Sequence, residues 1–229
     1  MGKEGGGVPA GVLAGLLIAI PALAGIAARY WLYADFSVVH CALSLFFSTN
    51  LVICYWEMCL FFRRDHVETR AEYWRGWQRD TGRSSAIGFL SGRVPLRRAL
   101  SPTVWADVWA AYSMIDRSYT DRNTFGFNAD VGNGFVTPLP TLFLFAAYTF
   151  DLVPAVVAGI VGVCLFWQWA YVSSLYWVSF FMSGRQTHIG RGELYICVWG
   201  LNAIWVLFGV FGLYISTRLI LDGNYGVLG

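Results

Sequence analysis

Three short stretches of this chain place acidic, amide and aromatic side chains inside otherwise apolar sequence. The first is Asn50-Leu-Val-Ile-Cys-Tyr-Trp-Glu57-Met-Cys-Leu-Phe-Phe. Here Asn50, Cys54 and Glu57 are spaced i, i+4, i+7 and share one face of a helix. The second is Asn128-Ala-Asp130-Val-Gly-Asn133-Gly-Phe-Val-Thr137-Pro-Leu-Pro, in which Asp130, Asn133 and Thr137 fall on one face. Gly132 and Gly134 would let another backbone approach closely, and Pro138 would open the helix one turn later. The third is Gly200-Leu-Asn202-Ala-Ile-Trp205, mid-way along a long apolar run. A carboxylate at membrane depth costs about 2.5–3.5 kcal/mol on insertion scales, so such a group usually faces a protein interior and has a function. Acids held away from water can donate a proton to an alkene and later remove one elsewhere. A Trp face can stabilise the intervening cation. The chemistry expected is therefore performed on a lipid hydrocarbon skeleton; binding of a cationic amphiphile would use the same groups.

Each stretch also has a purely structural reading. Glu57 could snorkel to the membrane surface or pair with Arg63 or Arg64. Asp130 could be a carboxylate complementing a helix N-terminal dipole. Asn202 could bridge two helices, with Trp205 as a packing residue.

The elements that would carry these residues are membrane helices. Of 229 residues, 57% are hydrophobic, 17% aromatic and only 13% charged, whereas a soluble domain is about a quarter charged. A helix crosses a bilayer with about 20 mostly apolar residues, and five segments qualify. They run over about 11–33, with a kink at Pro21, then 37–62, 130–151, 154–182 and 193–220. The fold class expected is an all-α bundle of five transmembrane helices forming a single membrane domain over 1–229. Lys3, the apolar run from Val12 to Leu23 and the small residues Ala22 to Ala24 have the order of a signal peptide. They are read here as the first membrane helix.

Charge placement orients the bundle. The cytoplasmic or interfacial segment 63–128 holds eleven arginines, to which Lys3, Arg185 and Arg191 add three basic residues. Only Arg29 and Arg218 lie on the other side. The positive-inside rule puts the N-terminus in the cytoplasm and the C-terminus opposite, in a bacterial inner membrane or the endoplasmic reticulum. Aromatics among these arginines, Trp74, Trp77, Trp105 and Trp109 included, mark a headgroup region. Helical spacing of Val104, Val108, Ala111 and Ile115 predicts an interfacial helix over Ser101 to Ser118 before the third span; a solvated cytoplasmic loop is the alternative for 63–94.

Other chemistries lack their patterns. Cys41, Cys54, Cys59, Cys164 and Cys197 all lie in apolar runs and read as small buried hydrophobes. His40, His66 and His188 lack metal-ligand spacing, and no phosphate loop or nucleophile elbow occurs. No metal and no cofactor is expected. The expected partners are the substrate lipid and bilayer lipids, with no nucleic acid; a homodimer stays open.

The residues also resemble a family. Trp109-x-x-Tyr112-x-x-x-Asp116-x-x-Tyr119, with Asp130 eleven residues further on, is similar to the central pattern of the emopamil-binding protein, or EXPERA-domain, family. Tyr171-x-x-x-Leu175-Tyr176, Gly192-Glu193-Leu194 and Asn202-Ala-Ile-Trp205 resemble its later motifs, and Glu57 falls where the family has an acid in the second span. The chain departs from that pattern at Ile53, where the isomerase has His, and at Asp130, where it has Glu. The segment between Phe62 and Trp105 is longer than expected for the family. The resemblance implies five spans and a sterol-like or terpenoid ligand. It implies Glu57 and Asp130 as proton-handling acids and Trp205 as cation stabiliser, with Asn202, Tyr112 and Tyr119 around the ligand. With them, Asn50, Asn133, Asp116 and Tyr176 complete the expected substrate-binding set. The leading expectation is a membrane-embedded isomerase that shifts a double bond through a carbocation. A non-catalytic sterol- or lipid-binding protein and a terpenoid cyclase are the alternatives.

Overall fold

The structure is a computed structural model that describes residues 7–34 and 36–229. Lys3, which enters the charge count, and the start of the signal-peptide-like pattern lie outside the described residues. The chain is all-α apart from one two-residue pairing, β1 (Val8–Pro9) with β2 (Arg93–Val94). Its helices are α1 (Ala10–Tyr33), α2 (Val38–Phe62), α3 (Arg64–Thr81), α4 (Ser85–Ser91), α5 (Pro102–Tyr112), α6 (Phe125–Val136) and α7 (Pro138–Phe150). They continue with α8 (Ala155–Met182), α9 (Arg191–Glu193) and α10 (Leu201–Asp222). Four helical stretches are long and apolar enough to cross a membrane, or five if α6 and α7 count as one broken span. α6 and α7 meet at a bend of 49°. Pro138 and Pro140 lack the N–H groups that would bond Gly134 and Val136, so the helix breaks at Thr137. The expected third span thus begins earlier than its first acid: Asp130 lies mid-way along α6 and not at a helix start.

The chain divides into two compact units: residues 1–17 with 52–135, and residues 18–51 with 136–229. In the first, the segment after α2 forms a helical cap. α5 ends at Tyr112, short of the expected Ser118; of the expected stripe Ala111 and Ile115 are buried, whereas Trp105, Ala106, Trp109 and Ala110 are buried more deeply than half-buried Val104 and Val108. The larger indoles win because burying them removes more apolar surface from water, and each indole N–H finds a carbonyl. Trp105 stacks on Trp56 with ring centroids 5.1 Å apart and donates to Ala99 O at 2.7 Å. Trp109 donates to Trp56 O at 2.7 Å. Arg122 bonds both Asp65 and Glu68, tying the loop before α6 to α3.

In the second unit, glycines set the spacing of α8 and α10. A Cβ on Gly162 would lie 2.2 Å from Ser216 Oγ, and one on Gly212 2.2 Å from a Phe166 ring carbon. Small residues of this kind let membrane helices pack backbone to backbone. Beside them Phe46 stacks on Phe208 at 4.5 Å and meets Trp169 edge-on at 5.0 Å. Buried Arg29 donates to Tyr148 O at 2.7 Å and pairs with Asp151 at 3.2 Å. Asp151 closes α7 in the left-handed conformation, with φ 50°. Burial first, and then the Asp151 carboxylate, push the Tyr225 phenol up to about 12, and its hydroxyl donates to Val153 O. Ahead of α10, Leu194–Gly200 winds as a π-helix where one uninterrupted α-helix was expected.

Of the two glycines expected to admit a neighbouring backbone, Gly134 does so and Gly132 does not. A Cβ on Gly134 would meet Glu57 Cβ at 2.7 Å and Met58 N at 3.0 Å, whereas one on Gly132 would meet nothing within 4 Å. Gly134→Ala should therefore destabilise the detergent-solubilised protein by about 1–3 kcal/mol. Gly132→Ala should leave it unchanged or stabilise it by about 0.4–1 kcal/mol. Thermal unfolding of both variants checks this difference in sign.

Candidate functional site

The expected site residues fall into two constellations, one in each unit. In the first, α2 and α6 approach closely at Gly134, which brings Glu57 against Asn133. Glu57 is 3% exposed, and its Oε2 accepts Asn133 Nδ2 at 2.6 Å. Cys54 completes the contact: its thiol lies 3.8 Å from the same amide nitrogen and 4.0 Å from Asn133 O. Cys54 thus belongs to this polar group as well as being a small buried filler. One turn before Asn133, half-buried Asp130 accepts the Tyr119 hydroxyl at 2.6 Å. Asp130 lies within electrostatic reach of Glu57, and Asp116 within reach of Asp130. The carboxyls of Glu57, Asp130 and Asp116 therefore form a row inside the unit.

Aromatic rings enclose one end of this row. Tyr119 lies 4.7 Å from Trp109 and 5.4 Å from Tyr112, centroid to centroid. Asp116 is fully buried, and its Oδ1 accepts Ser118 N at 2.9 Å, which caps the turn that presents Tyr119. Asp116 thus positions the ring that holds Asp130. The structural reading of Glu57 as a surface carboxylate finds no matching contact: Arg64 donates to Phe61 O. Among the described residues, neither Glu57 nor Asp130 forms an ion pair.

The second constellation contains Asn50, Trp205 and Asn202. Trp205 Nε1 donates to Asn50 Oδ1 at 3.0 Å, and Asn50 Nδ2 donates to Thr141 Oγ1 at 3.1 Å. The Thr141 hydroxyl donates to Thr137 O at 2.7 Å. Asn50 is therefore the amide that fixes Trp205. Asn202, three residues from Trp205, bonds Val198 O of its own helix at 2.9 Å; Trp177 donates to the same carbonyl at 2.9 Å. Tyr176 is buried on α8, 6.0 Å from Phe180. Thr137 is the residue before α7, without a side-chain capping bond to that helix, and belongs to this unit. Thr141 was not expected; its signal was the i, i+4 pair Thr137-x-x-x-Thr141 straddling two prolines. Buried His40 lies 3.4 Å from both Ser44 and Thr149, as a packed histidine does. Among the described residues no group of three or more His, Cys, Asp or Glu side chains could hold a metal ion.

Removing one partner of a buried hydrogen bond leaves the other desolvated, at a cost of about 1–3 kcal/mol. Asn133→Ala should accordingly destabilise the fold by about 1–3 kcal/mol. The loss should shrink in the Glu57→Leu background, where no side-chain oxygen accepts from the amide. A double-mutant cycle by thermal or denaturant unfolding measures the coupling; additive losses would mean that the contact contributes nothing specific. No family model, no curated protein and no solved structure matches the chain.

Proposed function

We propose that this chain is a five-span membrane protein whose Glu57–Asp130 pair moves protons on the hydrocarbon skeleton of a lipid, shifting a double bond. The observation that carries the reading is a pair of shielded carboxyls on two closely packed helices. Each is held by a neutral donor, Asn133 or Tyr119, and neither by a cation. An acid neutralised by arginine is a poor proton donor, whereas one held only by an amide keeps its proton available. In the proposed reaction the Glu57 carboxyl protonates one alkene carbon and leaves a carbocation. Asp130 then removes a proton from a neighbouring carbon, and the double bond reforms one position away. The lipid gains one proton and loses one. Return of a proton from Asp130 to Glu57 restores the starting state. The faces of Trp109, Tyr112 and Tyr119 supply the electron-rich surroundings a cation needs. This scheme is built on the first unit alone and assigns no step to Trp205.

The resemblance to the EXPERA-domain family supports a sterol-like or terpenoid substrate. In the proposed topology α6 and α7 make one broken span, the N-terminus is cytoplasmic, and the α3–α5 cap sits at the cytoplasmic headgroup level with α5 as its interfacial helix. One observation favours a second reading, non-catalytic binding of an amphiphilic amine. A buried carboxylate without a protein cation beside aromatic rings suits an ammonium group as well as an alkene.

Solvent isotope distinguishes the two. Incubated in heavy water with candidate sterols and terpenoids, the wild-type protein should place deuterium in the product. Glu57→Gln should lower incorporation by about 10²–10⁴-fold, the usual range for loss of general acid–base catalysis, and Asp130→Asn should do likewise. Both variants should still bind a cationic amine measurably. Absence of label from every lipid offered, together with tight amine binding that Glu57→Gln abolishes, would favour the binding reading.

A further inference from the structure

A cavity of about 470 Å³ in the first unit shares no residue with the carboxyl row. It opens among α3, α4, β2 and the start of α5, and its size is within the usual range for a small-molecule site. Three arginines line it, Arg70, Arg93 and Arg98. The one carboxylate on its wall, Asp107, is already engaged. It accepts Arg70 Nε at 3.1 Å and Trp74 Nε1 at 2.9 Å. Arg93 donates one N–H to Gly7 O at 2.8 Å and keeps its remaining donors. Neither Arg93 nor Arg98 has an acidic partner among the described residues.

The arginines are carried on ordered backbone. Arg93 belongs to the β1–β2 pairing, and Arg98 ends a short helical turn, Leu96–Arg98. Aromatic and apolar residues share the lining. The Arg70 guanidinium lies 3.5 Å from the Tyr73 ring centroid, and Trp77 packs directly against the backbone of Gly88. Phe89, Val94 and Pro95 also face the space. Two arginines without an acidic partner among the described residues, beside aromatic and apolar side chains, match an ester of an oxyanion. Arginine forks take multi-oxygen anions bidentately, and the apolar wall receives what the anion is attached to. We propose that this cavity binds the phosphate group of a small amphiphile, a phosphate ester carrying an apolar or glycerol-sized substituent. The same chemistry is offered by a lipid headgroup or by a soluble phosphate ester, and the experiment separates them.

The test uses the full chain, purified in an uncharged detergent and stripped of lipid. The readout is intrinsic tryptophan fluorescence, since Trp74 and Trp77 line the cavity, with native mass spectrometry as a second measure. Glycerol 3-phosphate and dihexanoyl phosphatidic acid are titrated, with dihexanoyl glycerol as the phosphate-free control. Saturable binding of a phosphate probe is expected, weakened by added salt. It should fall about tenfold in Arg98→Gln, the loss of roughly one charged hydrogen bond, and similarly in Arg93→Gln. Tighter binding of the phosphatidic acid identifies a lipid headgroup site, and equal affinities identify a soluble ester. The Arg98 side chain is exposed and makes no hydrogen bond or ion pair among the described residues, so its variant should melt with the wild type. If neither phosphate probe binds, if the control binds equally well, or if both variants keep wild-type affinity, the proposal is overturned.

Discussion

The first unit turns on the cost of placing a carboxyl where water cannot reach it. Glu57 sits between helices in apolar sequence, and its desolvation is offset chiefly by the Asn133 amide at 2.6 Å. That contact requires α2 and α6 to run nearly backbone to backbone, which Gly134 permits. Asp130 imposes a parallel demand one turn earlier. Its oxygen is held by Tyr119, which the Asp116 cap holds in turn. Two acids thus specify a glycine and a capped turn, and the cap helix α5 supplies the aromatic surroundings.

Much of this can be read from residue spacing. The i, i+4, i+7 face of α2 carries Cys54 and Glu57 to one partner, and Asp130 and Asn133 do share a face of α6. The eleven-residue interval from Tyr119 to Asp130 could not be translated into a hydrogen bond from spacing alone. It spans a short helical turn, a loop and the start of a helix. Asn202 and Trp205 lie three residues apart on one face, yet they do not bond each other. A helix offers an amide its own carbonyl four residues back, and Asn202 takes Val198 O. Trp205 is left to Asn50, 155 positions earlier, a pairing no local pattern encodes.

The segment after α2 was harder to read for a different reason. Tryptophan mixed with arginine is the composition of a membrane-surface belt and equally of a packed helical cap that keeps its charges outside. Periodicity did not decide between them, because Trp105 and Trp109 lie on a stripe adjacent to Val104 and Val108. In the structure Trp74, Trp105 and Trp109 each reach a hydrogen-bond acceptor within the first unit, as packed indoles do. The π-helical turn at Leu194–Gly200 had no sequence signal at all. It leaves Val198 O open to two side-chain donors, Asn202 and Trp177, which together hold the irregular turn in place.

The second unit uses its polar groups in a way that sets it apart from the carboxyl row. From Trp205 through Asn50 and Thr141 to Thr137, every hydrogen bond points the same way, each group accepting from one neighbour and donating to the next. The indole nitrogen can only donate and the Thr137 carbonyl can only accept, so both ends of the series are fixed. That fixes the orientation of the Asn50 amide between them and, through it, the rotation of the Trp205 ring. No group in the series gains or loses a proton at ordinary pH. It therefore holds a shape and does not move charge, whereas the row of Glu57, Asp130 and Asp116 is built of groups that can. The proposed proton transfer draws on the first unit alone, whereas the second places an aromatic face rigidly.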